Sequence, residues 1–209
     1  MGADDTYRTV DDEGLAELSV RGSRFIGGIR GVTSVEDADG WIEEWRTAYP
    51  DATHVVPAYR IRGDPVREWA SDDGEPSGSA GKPLLSLLQG EELEDVVAVV
   101  VRYYGGTNLG IGGLVRAYGD TLRQAIADAT IDTCEPTVVG IIETSYDDSG
   151  TVRSILESAE VMTDATYEIT VSFDIEVPHH SVEAIEDRVF NATSGRVDIR
   201  WEDSVDVRY

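Results

Sequence analysis

One cysteine, one lysine and no long apolar run set the outer bounds on this 209-residue chain. The single Cys134 excludes an internal disulfide framework, and nothing around it resembles a nucleophile setting. No apolar stretch approaches the roughly 18 residues needed to cross a bilayer. The opening MGADDTYRTVDDEG is acidic and polar, which is wrong for a secretory signal. These absences lead to the expectation of a soluble, cytoplasmic protein with no membrane contact. A G-x-S-x-G elbow, a catalytic triad, a zinc spacing, an internal repeat and a low-complexity linker are missing as well. What remains is a chain of 41% hydrophobic residues, long enough to bury a real core in one domain or two.

Its charge is lopsided. Asp and Glu number 41 against 17 basic residues, for a net charge of -24. Such a surface repels phosphates in dilute buffer. Lysine, however, occurs once, as Lys82, and every other basic residue is an arginine. Carboxylates in excess with lysine nearly absent fit a salt-filled, halophilic cytoplasm, although a simply acidic protein would show the same excess. In such a cytoplasm the Debye length falls to about 3 Å and long-range repulsion is screened. An acidic total of that origin reports the solvent rather than the partner.

The first half reads as alternating strands and helices. Leu15–Val20 and Phe25–Val32 form two short strands around Arg21-Gly22-Ser23. Ser34 caps a helix with Trp41, Ile42 and Trp45 at helical spacing, and Pro50 closes it. His54–Ile61 and Val66–Ala70 are strand-like around the turn signal Gly63-Asp64-Pro65. Pro83 suits the first position of a helix that ends at Gly90. Val96–Tyr104 suits a strand buried on both faces, and Leu114–Ala129 a helix.

A boundary is expected near Cys134-Glu135-Pro136, giving domains 1–134 and 135–209. Beyond it the pattern predicts strand Val138–Tyr146, helix Thr151–Ala159, strands Val161–Tyr167 and Ile169–Val177, helix Ser181–Phe190 and strand Arg196–Trp201. That β-α-β-β-α-β order is ferredoxin-like. Ile169, Val171, Phe173, Ile175 and Val177 alternate onto one face. The fold class is therefore α+β.

Two glycine-rich segments carry the functional interest. In Ser71–Pro83, Gly78 and Gly81 let backbone amides turn inward before a helix start, and Lys82 adds a point charge. A phosphate would suit that place, although a glycine-rich turn with one solvated lysine would look the same. Walker chemistry is excluded, since Pro76 stands at the leading glycine and Pro83 at the hydroxyl. In the second segment Gly105, Gly106, Gly110, Gly112 and Gly113 run into a helix whose first turn is expected to hold Arg116, after Arg102, Tyr103 and Tyr104. Arginine, aromatics and free amides suit phosphate binding with stacking. Tight helix packing needs small residues just as much. Asp72, Asp73 and Glu75 form a carboxylate cluster able to hold a hydrated divalent ion, or to be a solvated acidic loop. His54 has no recognisable partner. No cofactor is called for.

The runs AYRIRGDPVREWASDDGEPSGSAGKPLLSLL and VVVRYYGGTNLGIGGLVRAYGDTL resemble the IMPACT family, which includes the bacterial YigZ proteins. The resemblance spans most of residues 15–130. It implies an N-terminal domain of the ribosomal protein S5 domain 2-like type, with helices on one face of its strands. It also implies a ferredoxin-like second domain similar to elongation-factor domain V. Lys82, Arg102 and Arg116 match the family pattern. Val56 stands where relatives often have cysteine, in H-x-C-x-A-Y-R, and Asn108 where some have lysine. The function implied is a non-enzymatic regulator associated with translation, with RNA, the ribosome or a translation factor as partner. A kinase-like enzyme acting on a nucleotide or phosphometabolite, with Asp72, Asp73 or His54 as base, is the alternative; a protein-interaction module is a third.

Overall fold

A computed structural model describes residues 6–63 and 65–201. Asp64 of the expected turn lies outside the described residues. The chain divides into two compact units, one spanning Tyr7–Thr133 and the other starting at Cys134.

In the first unit, β1 (Tyr7–Val10), β2 (Gly14–Val20) and β3 (Ser23–Gly31) lead into α1 (Val35–Ala48). Next come β4 (His54–Ile61), β5 (Arg67–Ala70), α2 (Gly81–Gly90), β6 (Val96–Tyr103), α3 (Ile111–Asp128) and β7 (Ile131–Cys134). Five strands form an antiparallel sheet in the order β2-β3-β6-β4-β5. The valine-rich β6 is central, and all but its last residue are buried. Its alternation splits the core in two. Val96, Ala98 and Val100 meet Leu84 and Leu88 of α2 and Leu114, Tyr118 and Leu122 of α3. Val97, Val99 and Val101 meet Trp41, Ile42 and Trp45 of α1. Helices thus cover both faces, not one as the resemblance implied. The Trp41 and Trp45 indoles of α1 are buried in that second cluster, edge to face with each other.

α1 starts where its cap dictates: the Ser34 hydroxyl accepts from the Asp37 amide. Both glycine-rich helices begin earlier than expected. α2 starts at Gly81 rather than Pro83, and α3 at Ile111 rather than Leu114. Proline is tolerated at the third position because the first four helical N–H groups lack intrahelical partners anyway. β1 and β7 pair in a two-stranded sheet that the sequence reading missed.

The second unit runs β8 (Thr137–Thr144), α4 (Tyr146–Ser158), β9 (Met162–Tyr167), β10 (Val171–Pro178), α5 (Val182–Thr193) and β11 (Asp198–Trp201). Its sheet order is β11-β8-β10-β9. Ile142, Phe173, Ile175 and Val177 face Val152, Leu156, Ile185 and Val189 of the two helices. Two expectations are corrected here. α4 starts five residues before Thr151, because Ser145 caps it by accepting from the Asp148 amide. Ile169 is 96% exposed and leaves the core face, since the tight β9–β10 turn, closed by Glu168 N–H to Thr170 O, consumes it.

Candidate functional site

The two glycine-rich segments precede α2 and α3, which pack on the same face of the five-stranded sheet. Their local chemistry differs. In the first, the Asp72 carboxylate accepts from the amides of Gly78, Ala80 and Gly81 at 2.7, 3.0 and 2.9 Å. Burial works against that charge, yet the three amides outweigh it and hold Asp72 below the usual carboxylate range. The loop does bind an anion, but the anion is the chain's own. This corrects the expectation that the Gly78 and Gly81 amides receive an external phosphate. Gly81 is also fixed sterically, since a Cβ there would lie 2.6 Å from the Ser71 carbonyl oxygen.

The expected divalent site is corrected in the same way. Asp73 accepts from the Val55 amide at 2.7 Å and from Arg46 at 3.2 Å, while Glu75 turns into the core. The three carboxylates turn to three separate sets of partners. No cluster of three metal-ligating side chains occurs among the described residues.

Glu75 anchors a buried polar network. One of its oxygens accepts from Arg102 Nη1 at 2.6 Å and from the Tyr118 hydroxyl at 2.8 Å. His54 Nε2 lies 3.8 Å from the same oxygen, and His54 Nδ1 lies 2.7 Å from the Asp73 carbonyl. Arg102 is 4% exposed, its guanidinium near the rings of Phe25 and Tyr104. It neutralises Glu75 inside the protein, which corrects the expectation of a phosphate-facing Arg102. Burial, and then the charge of Glu75, push the Tyr118 hydroxyl far above its ordinary range, so it remains a donor. Sequence reasoning missed His54 and Tyr118 as partners of Glu75. Only the equal spacing of Tyr118 with the buried Leu114 and Leu122 on α3 hinted that it points inward.

The second segment is open. Gly105 is held in place, its amide bonded to Ser23 Oγ and its α-carbon packed against Gly22 so tightly that a Cβ would sit 2.0 Å from the backbone. From Gly106 to Gly112 no backbone amide donates to a described residue. Gly106 and Gly110 have φ of 82° and 70°, which glycine adopts freely. Gly112 has neither a positive φ nor any atom within 4 Å of where its Cβ would be, so packing does not explain it. A Cβ at Gly113 would lie 3.0 Å from that of Leu109, so this glycine has a packing reason. Tyr104 is exposed and ties the loop down through its hydroxyl to Asn108 Oδ1 at 3.1 Å. Arg116 lies in the second turn of α3 rather than the first, exposed, with Nε donating to the Gly112 carbonyl at 3.1 Å. Lys82, in the first turn of α2, is exposed and has no ion-pair or hydrogen-bond partner among the described residues.

The fold defines an α+β protein of two units, with both glycine-rich segments set at helix starts of the first. Residues 21–126 match the Impact N-terminal domain, and residues 142–196 match a domain of unknown function, DUF1949. The Bacillus subtilis IMPACT family member YvyE is 34% identical over 93% of this chain and 90% of its own. The Escherichia coli member YigZ is 39% identical over 66% of this chain and 68% of its own. A crystal structure of a hypothetical protein matches with TM-score 0.67 at 30% identity, covering 93% of this chain and 96% of that one. The chain belongs to the IMPACT family.

Proposed function

We propose that this chain is a translation-associated binding protein that meets the ribosome, its RNA or a translation factor through the face bearing residues 104–116 and Lys82. The observation that carries the reading is the run from Gly106 to Gly112, whose amides find no acceptor among the described residues, ending at a glycine whose smallness none of those residues requires. Amides at the start of an 18-residue helix, with Arg116 and Lys82 nearby, form an electropositive surface in a strongly acidic chain. Tyr104 adds an exposed ring suited to stacking. The link to translation comes from the family resemblance.

The finer fold assignment belongs to the same reading. The sheet order β11-β8-β10-β9 supports a ferredoxin-like second domain, and the antiparallel first unit supports the S5 domain 2-like type. The acidic surface supports a halophilic setting. On the open face of the second sheet Asp164 and Asp174 stand directly opposite each other, an arrangement that repels unless salt screens it. No described helix is long and apolar enough to cross a membrane.

The test is cosedimentation with ribosomes at high salt. The double variant Lys82→Ala/Arg116→Ala is expected to lose association while keeping its melting temperature. Unchanged cosedimentation would remove this assignment.

A further inference from the structure

The same face carries a second feature that the loop does not account for. Between α2 and α3 lies an open groove of about 520 Å³. Pro83 and Leu87 of α2 and Val115 of α3 form its apolar wall, with Lys82 and Arg123 also lining it. Gly119 lies on the α3 side.

Gly119 is the informative residue. It occupies the interior of an 18-residue helix, where glycine is the poorest choice after proline. Its φ is ordinary, and no atom lies within 4 Å of where a Cβ would stand. Neither backbone geometry nor internal packing calls for a glycine here. An external chain approaching α3 closely would.

The electrostatics point to the kind of chain. In a protein with 41 acidic residues, this groove has no carboxylate among the described residues that line it. Depressions of the second unit differ: Asp164, Asp174 and Glu176 line one, Glu186 and Asp187 another. Lys82 is unpaired among the described residues. Arg123 meets Asp120 at 2.6 Å, but both side chains are more than half exposed, and such pairs exchange partners at little cost. No aromatic ring is among the described residues lining the groove, so they offer a nucleobase nothing to stack on. Aliphatic walls with cations alongside suit an amphipathic protein segment instead.

We propose that the α2–α3 groove docks a protein segment presenting aliphatic side chains flanked by carboxylates. This deepens the functional reading above, on which it rests for the role of Lys82, by naming the partner chemistry of the groove.

The test uses the full chain and fluorescence anisotropy. The probes are a labelled helical peptide with leucines on one face and glutamates flanking them, a glutamate-only peptide, and a labelled oligouridylate. The leucine peptide is expected to bind, and the glutamate-only peptide to bind more weakly. Gly119→Leu, which projects a bulky side chain into the groove, and Lys82→Glu should each weaken the leucine peptide by at least about tenfold. Gly119→Ala, with open space for its methyl, serves as a second folded variant with a smaller loss. No leucine-peptide binding, or binding indifferent to Gly119→Leu, overturns the proposal. So does oligouridylate binding that Gly119→Leu abolishes. Ribosome cosedimentation of Lys82→Ala/Arg116→Ala is read separately: its loss with no peptide binding sinks the groove proposal alone. Peptide binding that depends on Gly119, with cosedimentation unchanged, sinks only the translation reading.

Discussion

The two glycine-rich segments look alike in sequence and do opposite things with their amides. In the first, Asp72 occupies the amides of Gly78, Ala80 and Gly81, and Glu75 is neutralised by Arg102 beneath it. In the second, the amides of residues 106–112 have no described acceptor, and Arg116 stays at the surface. Glycine before a helix turns backbone amides outward in both places, and in the first a carboxylate within reach occupies them. The first segment is a structural staple; the second is available.

Breaking the staple should give the largest effect. Glu75→Ala leaves the buried Arg102 without its counter-charge, which is expected to cost about 3–5 kcal/mol in chemical denaturation. Little loss of stability would mean that Arg102 is solvated instead. Asp72→Ala removes a charged acceptor from three amides and should cost about 1–3 kcal/mol. The pH dependence has a definite sign. Because the folded state depresses the Asp72 pKa, its contribution is fully present above the unfolded value of about 4. That contribution disappears as pH falls through the lower folded value, so the gap between wild type and Asp72→Ala should close in acid.

The glycines sharpen the contrast further. Gly105→Ala drives a methyl into the Gly22 backbone and should destabilise by about 1–3 kcal/mol. Gly112→Ala meets no neighbour and should leave stability unchanged or raise it by up to about 1 kcal/mol, while weakening ribosome association. Equal destabilisation by the two substitutions would erase the distinction between packed and open glycines. The smallest effect is expected far from both segments. Asp174→Asn relieves the facing Asp164 and should stabilise by about 0.2–1 kcal/mol in dilute buffer, with no gain at molar salt.

Much of this architecture was readable from the residues. The unbroken run of β6 announced a strand buried on both faces, and Ser34 announced the start of α1. Elements failed where tertiary pairing rather than local pattern creates them: the four-residue strands β1 and β7 pair with each other across most of the first unit's sequence. The start of α4 was missed because the apolar pattern of Val138–Tyr146 was read straight through Ser145, which caps the helix. The site was harder to read. Glycine spacing located both segments, but nothing local distinguishes Asp72 reaching six to nine residues forward from a solvated acid. His54, Glu75, Arg102 and Tyr118 are brought together only by the sheet and by α3 crossing it. Arg102 looked like a surface cation because it ends a strand beside glycines, whereas the alternation of β6 turns it toward the α3 face.

Amide hydrogen exchange, followed in the free chain and again with ribosomes added, tests the contrast most directly. The amides of Gly78, Ala80 and Gly81 should be protected in both states. Those from Gly106 to Gly112 should exchange rapidly in the free chain and slow on addition. Ribosome-dependent protection elsewhere, with residues 106–112 unchanged, would contradict the assignment of the second segment as the contact surface.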